Sequence, residues 1–157
     1  LLAALIGSAF EPTANVGGVL LELDALAGRC SPDFESVMGT LFGSGRLRGN
    51  RDDYGDPRNS YLHRVLDRGL GIPITLSVCA IEVGRRLGVD IRGVGLPSHF
   101  VVCCGEQYDD PFHGGSLHDR LGVAACRPAM AAAGVSNLVF SSSAAVYGTP
   151  SDWKMWP

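Results

Sequence analysis

Residues 71–104 read GIPITLSVCAIEVGRRLGVDIRGVGLPSHFVVCC, and within them the hydrophobic period changes from that of a helix to that of strands. Gly71-Ile72-Pro73 breaks the chain. From about Thr75 to Leu87, the residues Leu76, Cys79, Ala80 and Val83 recur at helical spacing and would face a core, with Gly88 ending the helix. Ile91–Leu96 and His99–Cys104 are strand-like runs separated by Pro97-Ser98, and Tyr108–Phe112 would add a short edge segment. Helices first and strands second predict an α+β fold.

Upstream, the first forty residues read as helical. Leu20, Leu21, Leu23, Ala25 and Leu26 belong to one helix, and Phe34, Val37, Met38, Leu41 and Phe42 to another, with Ser31 as N-cap, Pro32 at its first position and Gly43-Ser44-Gly45 as its stop. Arg46 to Arg58 is polar, turn-rich and without period, so it is either functional or a surface loop. Asn59 would cap a helix carrying Leu62, Val65 and Leu66, which Gly69 would end. Downstream of His118, Ala124–Ala133 reads as an Ala-rich helix ended by Gly134, and Val135–Phe140 as a buried strand.

The chemical question is whether a cysteine nucleophile exists. Such chemistry needs a thiol at a helix N-terminus, a His within hydrogen-bond reach and an Asp or Asn to orient that His. His99 opens a strand and Asp110 precedes Pro111 on what would be a neighbouring strand. The nucleophile would lie near the start of the 75–87 helix.

A series of ordered blocks carries a resemblance. They are Arg48-Gly49-Asn50, Asp56-Pro57-Arg58-Asn59-Ser60-Tyr61-Leu62, Val65-Leu66-Asp67-Arg68 and Gly71-Ile72-Pro73-Ile74-Thr75-Leu76-Ser77. Arg86-Leu87-Gly88, Gly93-Val94-Gly95-Leu96-Pro97-Ser98-His99-Phe100 and Asp110-Pro111-Phe112-His113-Gly114-Gly115 continue it. Over about residues 1–118 the chain resembles the transglutaminase-like domain of the bacterial SirB family. The resemblance implies a papain-related fold, with helices packed on an antiparallel sheet that bears the His and the Asp. It departs at Ser98, where Gly is usual, at Gly69, where a basic residue is common, and at His113, where Asn is common. The nucleophile position falls around Pro73 to Thr75 and holds no Cys. Cys79 lies a turn further in and reads as core filler, while Thr75 or Ser77 would cap or line the helix start. The candidate catalytic residues are therefore His99 and Asp110, with Cys79 or Thr75 as nucleophile. Arg48, Asn50, Tyr54, Asp56, Arg58 and Asn59 are either a buttress of the fold or a recognition surface for a protein or peptide.

Residues 133–148 are similar instead to UDP-glucose 4-epimerases and other extended short-chain dehydrogenases, in which this stretch is a Rossmann strand. The dinucleotide loop and the Tyr-x-x-x-Lys pair are both absent, since Tyr147 is followed four residues on by Ser151. Two unrelated pieces are thus expected to meet near 119–123, giving a domain over 1–118 and a tail over 119–157 with a Rossmann-like helix–strand fragment.

Composition bounds the rest. Hydrophobic residues make up 46% of the 157 and charged residues 18%, which suits a chain that buries a core. Leu1–Ile6 is the longest apolar run, far short of the roughly 20 residues of a membrane span. A net charge of −3 excludes a globally basic nucleic-acid binder, and Asp52, Asp53 and Asp56 offset Arg46, Arg48 and Arg51. The five cysteines include no Cys-x-x-Cys pair, and Cys103-Cys104 would point to opposite strand faces. Neither they nor His63, His113 and His118 show ligand spacing, so no metal or cofactor is expected. A reduced, cytoplasmic setting is expected. The favoured expectation is a degenerate, non-catalytic domain that binds a protein or peptide. The alternatives are an active thiol hydrolase or acyltransferase and an NAD-dependent epimerase fragment.

Overall fold

The computed structural model describes residues 2–96 and 99–114. Helix α5 (Pro73–Leu87) is the element around which the others assemble. Pro73 occupies its first turn, where a missing N–H costs nothing, and the Ile72 N–H is taken instead by Thr75 Oγ1 at 3.2 Å. Gly88, left-handed at φ 74°, closes the other end. Leu76, Cys79, Ala80 and Val83 are all fully buried. Burying a residue such as Leu76 or Val83 contributes roughly 1.5–3 kcal/mol. That outweighs the few tenths lost in helix propensity at each of Ile74, Val78, Ile81 and Val83, so a run rich in β-branched residues still forms a helix.

Four helices precede it. These are α1 (Leu2–Phe10), α2 (Val16–Ala27), α3 (Phe34–Met38, continued by a wider turn over Gly39–Gly43) and α4 (Leu62–Arg68). Helices α2, α3 and α4 pack on α5, and Leu23, Leu26, Val37, Leu41 and Val65 complete one apolar cluster with it. Among the described residues, no helix is long and apolar enough to cross a membrane. After α5 come β3 (Arg92–Leu96), β4 (His99–Cys104) and β5 (Gln107–Asp109), an antiparallel sheet in the order β3-β4-β5 with β4 against α5. The architecture is α+β.

Several boundaries differ from expectation. Helix α3 begins two residues later than Ser31-Pro32 suggested, because the Asp33 carboxylate accepts the Ser36 N–H at 2.7 Å. The aperiodic loop contains β1 (Arg48–Gly49), which pairs in parallel with β2 (Leu70–Gly71). Asn59 does not cap α4. It is fully buried inside a 3-10 turn (Pro57–Ser60), and Tyr61 stands at the N-cap without a side-chain bond. The expected edge segment 108–112 is split into β5 and a 3-10 turn (Pro111–His113). Gly69 ends α4 as expected, at φ 70°. Pro97-Ser98, the Ala124–Ala133 helix, the Val135–Phe140 strand and the Rossmann-like tail over 119–157 lie outside the described residues.

Candidate functional site: an imidazole–carboxylate cluster at the end of the sheet

The sheet register brings His99 and Asp110 together. Val102 stands opposite Asp109, so Val101 would face the next residue, Asp110, and His99 lies two further along the same face of β4. That is the diagonal cross-strand relation, within reach of long side chains. His99 Nε2 and Asp110 Oδ2 are 2.7 Å apart. The same oxygen is 2.7 Å from Nδ1 of His113, and Asp110 Oδ1 accepts the N–H groups of Phe112 at 3.0 Å and His113 at 3.3 Å. One carboxylate therefore caps the 3-10 turn with one oxygen and receives two imidazoles with the other.

Burial pushes the Asp110 carboxyl up, but the hydrogen bonds from His99 and then His113 outweigh it and hold the group below the usual carboxylate range. An ionised carboxylate only accepts, so both rings donate to it, His99 from Nε2 and His113 from Nδ1. Where a ring carries no second proton, its other nitrogen is an acceptor. The His99 side chain is 24% exposed and that of His113 44%, against 9% for Asp110. Next to it, the Asp109 carboxyl is half-buried and pushed up to about 6, mainly by desolvation.

Phe112 forms the wall of the cluster. Its ring meets His99, His113 and Tyr54 edge-on, at centroid separations of 6.3, 5.2 and 5.9 Å. It packs over Gly49, where a Cβ would fall 2.5 Å from the ring and 2.6 Å from the Phe112 carbonyl oxygen. Strand β1 thus needs glycine at this point for the wall to stand.

The expected recognition residues divide. Asn59 is the centre of a buried network in which its side-chain oxygen accepts from Asn50 Nδ2 at 3.0 Å, and its amide donates to the carbonyls of Asp53 at 2.8 Å and Tyr54 at 3.2 Å. Asp56 is gripped by Arg58 and by Arg68 at 2.9 Å, and the Arg58 hydrogen bond holds its carboxyl down to about 2. Arg48, Tyr54 and Arg58 are exposed. Of this set, Tyr54 meets the Phe112 wall edge-on.

Neither candidate nucleophile joins the pair in the manner thiol chemistry asks. Cys79 is fully buried in the apolar cluster, and desolvation pushes its thiol up to about 12. Thr75 Oγ1 donates to the Asn59 carbonyl at 2.7 Å and supports the helix start. Ser77, also fully buried, has a hydroxyl with no hydrogen-bond partner among the described residues. Sequence reading missed His113 as a partner of Asp110. The signal was their spacing of three, which a 3-10 turn places on one face.

A helical layer thus precedes an antiparallel sheet whose strand β4, with the turn after β5, holds His99 against Asp110. The sequence model of the Transglutaminase-like superfamily matches residues 19–137, and the chain belongs to that family. A UPF0162 protein of Xylella fastidiosa is 54% identical over 71 residues, 43% of this chain and 25% of that protein. One of Vibrio cholerae is 31% identical over 86 residues, covering 52% of this chain and 32% of its own length. F-box only protein 21 of Mus musculus is 40% identical over 68 residues, 43% of this chain and 11% of that protein. The chain thus spans a third or less of the curated relatives it matches. No solved structure matches it significantly.

Proposed function

We propose that this is a transglutaminase-like domain of the SirB type, on a papain-related scaffold, that has lost thiol catalysis and serves to bind a protein or peptide. The observation that carries the reading is the separation of environments between thiol and imidazole. Cys79 is fully buried in the apolar cluster, where desolvation pushes its thiol up to about 12, whereas a catalytic cysteine is lowered, not raised. The His99–Asp110 pair persists, partly exposed, beside Tyr54 and Phe112. Aromatic edges, an oriented imidazole and the exposed guanidinium groups of Arg48 and Arg58 are the chemistry of a polypeptide-binding surface. Asn50, Asp56 and Asn59 hold that surface from beneath rather than meeting the partner. The epimerase alternative rests wholly on residues outside the described part.

Iodoacetamide labelling of the native chain, read by peptide mass spectrometry, tests the loss of catalysis. Cys79 should stay unmodified until the protein is denatured, and His99→Ala should change nothing. Native labelling of Cys79 that disappears in His99→Ala would restore the enzyme reading. For the partner, a photo-crosslinking phenylalanine analogue at position 54 should give a discrete protein adduct in producing cells that the same probe at position 85, on α5, does not. Adducts of equal pattern from both positions would remove the binding surface from the Tyr54 face.

A further inference from the structure

We propose that His99 Nε2, Asp110 Oδ2 and His113 Nδ1 form a three-ligand site for a divalent transition metal of the zinc class, with a fourth position open to solvent. The three atoms come from the start of β4 and from the two ends of one 3-10 turn, and all lie within 4.8 Å of one another. Two donors each about 2.1 Å from one ion are at most about 4.2 Å apart, and about 3.4 Å apart in a tetrahedron. An ion therefore enters by lengthening the two 2.7 Å contacts by roughly 0.7 Å and drawing the two ring nitrogens together. These are side-chain adjustments, and they leave the strand register alone.

The donor set selects the ion. Two imidazoles and one carboxylate suit zinc, iron(II), cobalt or nickel, whereas magnesium and calcium favour all-oxygen sites. The surroundings have the features of a prepared site. Asp110 Oδ1 is held by the N–H groups of Phe112 and His113, which fixes Oδ2 toward the rings, and the Phe112 edge limits how either ring turns. The exposed sides of His99 and His113 give water access to the fourth position.

The protons balance without an outside base. Each ring now donates to Asp110 from the nitrogen that would ligate. On binding, that proton passes through solvent to the ring's other nitrogen, so both rings stay neutral and the site carries a net charge of +1 with a divalent ion. The proposal goes beyond the binding-module reading and stands without it, because the buried sulfur of Cys79 takes no part.

The test uses the whole chain, stripped with a chelator and titrated with Zn²⁺ against a chromophoric competitor. One ion per chain is expected, bound at least about tenfold more weakly by His99→Asn and by His113→Asn. The His113 ring is the more exposed of the two, so that variant keeps its fold, which circular dichroism checks. X-ray absorption of the bound zinc should show imidazole and oxygen neighbours and no sulfur. Binding unchanged in His113→Asn, sulfur in the first shell, or no binding by the parent chain would each overturn the site. None of these results bears on whether Cys79 can be alkylated, so the two proposals fail separately.

Discussion

The cluster around Asn59 and the cluster around Asp110 are both polar, both near Phe112 or Tyr54, and opposite in what they have left to offer. Asn59 is fully buried and its amide is spent: the oxygen on Asn50, the nitrogen on two carbonyls. Asp110 is equally committed, yet the two rings that contact it are part-exposed and each retains a nitrogen facing away from the carboxylate. A saturated buried network specifies one conformation and has no capacity for a ligand. Chemistry needs the second kind, in which a fixed group orients others that are still unsatisfied. The contrast teaches that Asn50, Asp56 and Asn59, conspicuous in sequence within a dense polar run, are support, whereas the sparser histidines keep ring nitrogens that the carboxylate does not use.

Substitution at the saturated centre should break the comparison hardest. Asn59→Ala strands Asn50 Nδ2 in a buried place and the carbonyls of Asp53 and Tyr54 in a part-buried one, for a loss of about 3 kcal/mol in chemical denaturation. A loss under about 1 kcal/mol would mean that water replaces the amide and that the cluster is not a buttress. Gly49→Ala should cost less, about 2 kcal/mol, because a methyl group at 2.5 Å from the Phe112 ring forces the wall and the turn behind it outward. It sharpens the comparison, since the histidine NMR resonances of His99 and His113 should move while the backbone amides around Asn59 do not. Shifts confined to the Asn59 loop would show that Phe112 does not support the imidazoles.

Much of this was legible in the chain. Pro73, Gly69 and Gly88 bound their helices because each acts through local backbone chemistry, and the runs Ile91–Leu96 and His99–Cys104 mark two strands because they are rich in β-branched and apolar residues and are separated by Pro97-Ser98. The pairing of β1 with β2 was not, since two residues are too few to show a period and their partners lie about twenty positions away in sequence. Asn59 misled for a related reason: the preference of Asn for N-caps is a local rule, and here tertiary hydrogen bonds to Asn50, Asp53 and Tyr54 override it. For the site, the juxtaposition of His99 with Asp110 could be imagined from adjacent strands. That of His113 could not, because it requires knowing that residues 111–113 form a 3-10 turn rather than continue the strand.

The smallest expected effect separates Asp109 from its neighbour Asp110. Asp109 stands opposite the fully buried Val102, and its Oδ1 accepts the Asp110 N–H at 2.9 Å, a bond that Asn can also make. Desolvation lifts its carboxyl from 3.8 to about 6, so the folded chain holds this proton more tightly than the unfolded chain does. The stability linked to it is complete below about pH 3.8 and is lost as pH rises through 6. Taken whole, that displacement corresponds to about 3 kcal/mol, but the group is half-exposed, and screening reduces it to about 1 kcal/mol. Asp109→Asn should therefore stabilise the protein by about 1 kcal/mol at pH 7.5 and by almost nothing at pH 4, measured as urea midpoints at both values. Asp110→Asn should do the reverse, destabilising most at neutral pH, because its depressed carboxyl contributes stability that is lost only as pH falls through its folded value. Equal responses of the two variants to pH would mean that the adjacent carboxylates share one environment, and the assignment of Asp110 as the anchored anion beside a merely desolvated neighbour would fail.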